Sequence, residues 1–454
     1  MVSSDRLTSL EKRVAIALSA VFGLRMLGLF MLLPVLAIYG PSLTGFSPLW
    51  LGLAIGAYGL TQAVLQIPMG LLSDHIGRKR VIIGGLLVFC LGSILAALSD
   101  SIYGVTAGRA LQGTGAIAAA ILALAADLTR ETQRQKVMAM IGANIGLAFA
   151  VAMVLGPAVA ASAGLSGLFW LITILALVGM FVMAFSVPSS IQKAPKGETI
   201  AVPAMIKHAF LHPQLRRLNL GVFFLHFMLT AIFIMVPKLL VDSGIESSSH
   251  WLVYLPVFLL SFVLMVPMMI IGAKKGKEAF FFQSAISMLI TTLGILVFFH
   301  NDFTVLVPAL LIFFVAFNYL EASMPAIVSR IAPAGQKGTA MGVFSSGQFL
   351  GAFAGGATGG ILVQQFSNQV LFAVTAGLGL IWWIIAQGMK MPARSERITI
   401  ETRVIHADEA DSLAHQLSQL EGVMEAIVVL EEKRTYLKVD ASQFNMQAAQ
   451  AIVN

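Results

Sequence analysis

Four ionisable side chains stand where an apolar environment excludes them: Arg25, Arg109, His226 and Glu321, each inside a run otherwise built mainly from apolar residues and glycine. In hydrocarbon a charge costs from about 3 to about 17 kcal/mol, so each demands a partner or a task. Glu321, in FFVAFNYLEASMP, is the only carboxylate well inside such a run. A carboxyl group kept from water is suited to bind and release protons, and Glu321 is the candidate proton carrier. The alternative is a permanent ion pair with Arg25 or Arg109 that pins a helix bundle. Histidine as a residue type can exchange protons near neutrality, so His226 suits a proton shuttle, and it reads equally as an interhelical hydrogen bond. The arginines can attract an anionic substrate, act on Glu321 in one conformation, or hold helices together.

Tyr58, Gln62 and Gln66 fall at i, i+4 and i+8, one polar stripe on a helix. With Asn318 they are the candidate substrate-cavity residues, interhelical hydrogen bonding being the other reading. Gly347, Gly351, Gly355 and Gly359 repeat every four residues, the small-residue spacing by which helices pack closely in lipid.

The stretch GLLSDHIGRKR, residues 70–80, places an acid, two glycines and three consecutive cations between two apolar runs. Gly70 permits close helix approach, and Gly77 suits the positive φ at a helix end. The cations anchor a loop on one side of a membrane. Asp74 has no such topological purpose. It is expected to meet the positive N-terminal end of a helix beginning near Gly338 and Gly342, while Arg78 pairs with Asp127.

These residues need a scaffold, and composition says which. Of 454 residues, 58% are hydrophobic and 11% charged, a balance that belongs to lipid rather than water. A crossing takes about 20 apolar residues for about 30 Å of hydrocarbon. The pattern predicts twelve helices near 14–39, 49–72, 80–99, 102–127, 137–161, 165–187, 217–241, 249–273, 279–299, 303–327, 338–363 and 367–389. Lys and Arg crowd the N-terminus and alternate gaps (Arg78 to Arg80; Arg130, Arg134, Lys136; Lys274, Lys275, Lys277; Arg330, Lys337), while the opposite gaps hold almost none. The positive-inside rule then puts both termini in the cytoplasm.

The longest polar interruption, 189–216, separates an N-terminal six-helix half (1–188) from a C-terminal one (217–390), a 6+6 division that suggests a duplicated transporter body. The two halves thus bring opposite charges, Arg25 and Arg109 against Glu321, toward one central cavity. From 391 to 454 the net charge is −4 against +11 for the rest, which marks a separate soluble domain. Its pattern of a strand at 397–405, a helix at 408–422, a hairpin and a short last helix is a ferredoxin-like α+β unit lacking its final strand. The single cysteine, Cys90, excludes an internal disulfide and any Cys-based metal site. No metal, cofactor, nucleic-acid partner or catalytic centre is expected, and the chain has no Gly-x-x-x-x-Gly-Lys-Ser/Thr nucleotide loop.

GLLSDHIGRKR resembles the signature loop of the major facilitator superfamily, Gly-x-Leu-Ala-Asp-Arg-x-Gly-Arg-Lys-x-x-Leu, at Gly70, Leu72, Asp74, Gly77, Arg78 and Lys79. Ser73, His75 and Ile82 depart from it. Arg109, Gln112 and Gly113 resemble the family's Arg-x-x-Gln-Gly motif. Leu155, Gly156 and Pro157, with Gly146 upstream, resemble its antiporter motif, with Ala160 and Ala161 where drug antiporters carry a glycine pair. The resemblance is strongest to the bacterial drug:proton antiporters and runs the whole length. It implies an all-α, inner-membrane exporter of a small molecule, driven by protons through alternating access, with Arg109 in proton coupling and the GLLSDHIGRKR residues as a cytoplasmic latch. A proton-coupled importer and a membrane sensor signalling through its tail are the rival readings. For the tail, a cytoplasmic ligand, self-association and passive stabilisation remain open.

Overall fold

A backbone amide in lipid finds no water, so an apolar run must satisfy its own hydrogen bonds by coiling. The structure, a computed structural model, describes residues 7–188, 203–333, 336–391, 396–402, 407–430, 434–440 and 443–453. Its N-terminal half holds α1 (Ser9–Phe30), α2 (Leu32–Tyr39), α3 (Pro48–Ile76), α4 (Arg78–Ala97), α5 (Ile102–Thr114), α6 (Ala118–Asp127) and α7 (Glu131–Ser186). After α8 (Pro203–Leu211) the C-terminal half holds α9 (Pro213–Phe233), α10 (Val236–Asp242), α11 (Trp251–Lys274), α12 (Glu278–Phe299), α13 (Phe303–Ile331), α14 (Lys337–Gln365) and α15 (Asn368–Ala386). Of the expected linker 189–216, residues 189–202 lie outside the described residues and the remainder is largely helical.

Among the described residues ten segments are long and apolar enough to cross a membrane. Two differences from the expected spans account for the count. The expected fifth and sixth run together as α7, whose segment Lys136–Ser186 is 51 residues long, about 76 Å if straight and far more than one crossing needs. It doubles back: Gly164 leaves helical angles at φ 68°, ψ −173°, and both ends of α7 return to the start of α1. There Arg130 holds Glu11 at 2.9 Å and Arg13 donates to Phe185 O at 3.0 Å. The other difference is α14, long enough at 29 residues but rich in glycine, which is not among the ten.

The first, fourth and seventh expected spans are broken, at Met31, at residues 115–117 and at residues 234–235. Each break frees backbone carbonyls inside the bundle, where they can accept from buried side chains.

The tail folds β1 (Glu396–Glu401), α16 (Ala407–Ser418), β2 (Val423–Val429), β3 (Arg434–Val439), α17 (Met446–Val453), in a three-stranded antiparallel sheet ordered β1-β3-β2. Leu413 and Leu417 of α16 and Ala449 and Val453 of α17 pack on Ile400, Leu437 and Val439. The periodic Leu420 packs on this core from beyond the helix end.

Candidate functional site

Within the 70–80 stretch, the second glycine sets the direction of the next helix. Gly77, at φ 100°, ends α3 and turns the chain so sharply that Arg78 is already the first residue of α4. The buried guanidinium of Arg78 then reaches three ways: Nε donates to Asp127 Oδ2 at 2.7 Å, Nη2 meets Asp74 Oδ1 at 2.9 Å, and Nη1 donates to Ser73 Oγ at 3.1 Å. Ser73 passes the chain on to Gly70 O at 2.6 Å. One guanidinium therefore contacts both carboxylates. Gly338 is buried in the first turn of α14.

The second half carries a counterpart with its signs exchanged. Glu278 opens α12 as Arg78 opens α4, and Arg330 near the end of α13 corresponds to Asp127 at the end of α6. The two meet at 2.7 Å, both partly exposed. Outside the spans, Arg130 is held above its ordinary range by its hydrogen bond to the Glu11 carboxylate, and Asp302 below its range by the hydroxyl of Thr304.

Arg25 and Arg109 are 1% and 3% exposed, and among the described residues neither meets a carboxylate. Their charge is held by dipoles and rings instead. Arg25 Nη2 donates to Gln62 Oε1 at 2.8 Å and to Gly115 O at 2.9 Å, the latter a carbonyl freed by the break between α5 and α6. Arg109 donates to Gln112 Oε1 at 2.8 Å and to Ala54 O at 3.3 Å, and Gln112 in turn donates to Ser93 Oγ at 2.7 Å. The ring of Tyr58 lies 5.5 Å from the guanidinium carbon of Arg25 and 5.1 Å from that of Arg109, with Phe89 also 5.5 Å from Arg25. Desolvated cation–π contacts reach about 2 kcal/mol and charged hydrogen bonds about 1.5–3 kcal/mol each, together of the order of the lower estimates for burying the charge. The stripe Tyr58, Gln62, Gln66 is thus buried on the arginines in this conformation, Gln62 donating to Gln66 Oε1 at 2.7 Å.

Across the bundle, His226 on α9 and Glu321 on α13 approach to 3.6 Å. Gln348 of α14 stands between them, its Nε2 3.2 Å from Glu321 Oε1 and 2.8 Å from His226 Nε2. His226 Nδ1 lies 3.1 Å from Val222 O. The Glu321 side chain is 38% exposed, the one ionisable group of this set open to water. Asn318, one turn earlier, is buried and donates to Ser261 Oγ at 2.8 Å. The structure brings His226 and Glu321 together but does not pair Glu321 with Arg25 or Arg109. Gln348 is not among the residues that the linear pattern marks; its only signal there is a polar side chain inside the glycine stripe.

Two seams join the halves. Along α3 and α14, Gly52 faces Gly356, Gly56 faces Phe353, Gly59 faces Phe349, and Ser346 Oγ donates to Ala63 O at 3.1 Å. The other side of α14 lies on α9, where Gly347, Gly351, Gly355 and Gly359 meet Asn219, Phe223, Phe227 and Ala231, one turn at a time. Along α7 and α11, Phe149 packs its ring on Phe258 at 5.0 Å and on Phe314 at 6.2 Å, and Gly146 has Phe262 at 3.9 Å. Gly156, in the α7 turn that holds Pro157, lies against Met31 where α1 breaks. Away from the basic loops the halves also touch at Tyr39–Ser247, 3.3 Å, and Leu49–Gln364, 3.1 Å. Toward the basic loops α11 changes character: Val253, Tyr254, Val257, Phe258 and Ser261 are buried, whereas no residue from 262 to 271 is. That stretch keeps a partial face, with Met265, Met268 and Met269 half-buried against the core, while the contacts that join the halves cluster toward the far side.

Twelve-helix bundles of two similar halves with a cleft between them are the architecture of secondary transporters. A profile of the Major Facilitator Superfamily matches residues 18–318 and 283–403, and the chain belongs to that superfamily. The inner membrane transport protein YajR of Escherichia coli (strain K12) is 44% identical over 441 residues, 97% of this chain and 97% of that one. A bacterial homologue of the human lysosomal transporter Spinster, solved in an inward-facing and occupied conformation, shares the fold with a TM-score of 0.68 at 12% identity, covering 84% of this chain and 97% of that one. The D-xylose–proton symporter does so with a TM-score of 0.64 at 15% identity, covering 83% and 97%. The chain is a multi-pass membrane protein of a transporter family.

Proposed function

We propose that the chain is a proton-coupled exporter of a small molecule, working by alternating access in the inner membrane, with the basic loops and both termini in the cytoplasm. Counting α7 as two crossings and α14 as one gives the twelve spans of this reading. The observation that carries it is Glu321: a carboxylate at membrane depth, partly exposed, bonded to a histidine partner through Gln348, and facing a half that holds two buried cations which meet no carboxylate among the described residues. Such a group can take a proton from the cytoplasmic cleft or deliver one to it as the halves rock. The register of α3 on α14, continued toward the basic side, brings Gln66 level with Gly342, Gly70 level with Gly338, and Asp74 one turn further on, just past the N-terminal end of α14 at Lys337. That geometry supports a latch of Asp74, Arg78 and Asp127 acting on the positive end of α14. Tyr58, Gln62, Gln66 and Asn318 become cavity-lining only when their present partners part. The tail, with its β1-β3-β2 order, fits a ferredoxin-like unit without a fourth strand, and we assign it a regulatory role through a cytoplasmic ligand or a second copy.

Proteoliposomes with an imposed pH gradient test the reading. Substrate-dependent proton flux opposite to substrate movement is expected, and Glu321→Gln abolishes the coupling. Flux in the same direction establishes the symporter instead, and no substrate-dependent flux removes the coupled reading altogether.

A further inference from the structure

The ionisable pair of the second half and the arginines of the first are separated by two consecutive residues of α14. Gln348 touches Glu321 and His226. Phe349, next in the chain, meets Tyr58 edge-on with ring centroids 6.1 Å apart, and its carbonyl presses on Gly59. Tyr58 in turn carries both guanidinium groups on its ring. One helix therefore contacts the proton site with one side chain and the arginine site with the next.

The hydrogen-bond inventory makes that contact depend on protonation. Val222 O only accepts, so His226 Nδ1 bears a hydrogen; in the neutral ring Nε2 is then the acceptor. The two amide hydrogens of Gln348 go one to Nε2 and one to Glu321 Oε1. A proton taken from cleft water onto Nε2 turns that acceptor into a donor. Two donors then face each other across 2.8 Å, while Nε2–H gains Glu321 Oε2 as its acceptor. Gln348 must withdraw or turn its amide over, and a turned amide sets its oxygen against Glu321 Oε1 and loses that contact. Its helix has little slack for this: Gly347 and Gly351 rest on the backbone of Asn219 and Phe223, and Ser346 is bonded to Ala63 O. Thr230 Oγ1, one turn from His226, lies 2.9 Å from both His226 O and Ala352 O, tying α9 to the same stretch.

Resting on the proton-coupled reading, we infer that Gln348 and Phe349 of α14 form the coupling element that passes the protonation of the His226–Glu321 pair to Tyr58, Arg25 and Arg109 in the other half. The ionisable groups facing this element are His226 from α9, Glu321 from α13, Tyr58 from α3, and Arg25 and Arg109 behind Tyr58 from α1 and α5. α14 has none between Lys337 and its end, and α15 has none. Gln348 is a positioning residue, not a proton carrier.

The test uses the full chain in nanodiscs, with spin labels on Ser42→Cys and Ser248→Cys, one exposed far-face position in each half. Distance distributions are measured from about pH 5 to about pH 8, the range in which histidine titrates. The unaltered background is expected to change its open-to-closed ratio about tenfold, and Gln348→Met, similar in size but without the amide, to change it under about twofold, a loss the size of a typical coupling factor. Phe349→Leu gives the same loss and serves if the first variant does not fold. His226→Gln combined with Gln348→Met loses no more than either alone, which separates coupling from plain destabilisation. If the background responds to pH and both single variants respond equally, the coupling role of α14 is overturned and proton coupling survives. A background indifferent to pH overturns both.

Discussion

The two seams between the halves are built on opposite principles. At α3–α14 the contact is backbone on backbone: a Cβ at Gly52 would strike Gly356 O, and one at Gly360 would strike Pro48 O. At α7–α11 the contact is ring on ring, Phe149 against Phe258, over a short length beyond which α11 is at most half-buried. Lipid tails are as apolar as the helices, so association here relies on close packing rather than on escape from water. A seam of glycines over the far half of the membrane can pivot but resists opening there, whereas a seam of a few aromatic rings can part. On this contrast α3–α14 is the hinge and α7–α11 the gate. The fixed charges differ between the halves: the Asp74–Arg78–Asp127 cluster is buried at the end of α3, and the Glu278–Arg330 pair joining α12 and α13 is partly exposed.

The largest effect should come from that charge difference. Arg78→Ala removes the buried guanidinium that both Asp74 and Asp127 contact and should cost about 3–5 kcal/mol. Arg330→Ala exposes a carboxylate that already sees solvent and should cost under about 1 kcal/mol. Reversible unfolding in mixed micelles measures both. Equal losses would erase the distinction between the charge clusters of the two halves.

Glycine substitution probes the seams themselves. Gly52→Val forces α14 away from α3 and should cost about 1–3 kcal/mol by overpacking, with a visible shift of the far-face distance distribution. Gly146→Val adds methyls where the nearest atom across the seam is 3.9 Å away and should stay within about 0.5 kcal/mol. A costly Gly146→Val and a silent Gly52→Val would exchange hinge and gate.

How much of this the sequence shows depends on how locally each feature is determined. Arg78 and Asp74 are four residues apart on either side of a glycine turn, so their meeting is a property of the loop alone. The stripe Gly347 to Gly359 announces a close helix contact by its period, though nothing in the period says that α9 fills it or that Gly356 and Gly360 make a second face against α3. The broken fourth span is hard to read because the carbonyl it frees at Gly115 is taken up by Arg25, some ninety positions earlier. Gln348 is illegible for the same reason: its meaning lies in His226 and Glu321, which come from two other helices. Long-range partnership, not local propensity, is what the linear pattern leaves out.

A further small effect bears on what holds the hinge. Ser346 Oγ donates to Ala63 O across it, a part-buried interhelical hydrogen bond. Such bonds average only about 0.6 kcal/mol, because the helices when separated in the membrane find other partners for the same groups. Ser346→Ala should therefore lower stability by about that amount and leave the far-face distances unchanged, since the glycine contacts on either side remain. A loss above about 2 kcal/mol would exceed the largest such bonds measured and make hydrogen bonding the holder of the seam. Gly52→Val would then reach its cost by breaking that bond, and the hinge would be expected to loosen wherever a competing donor could enter from the cleft.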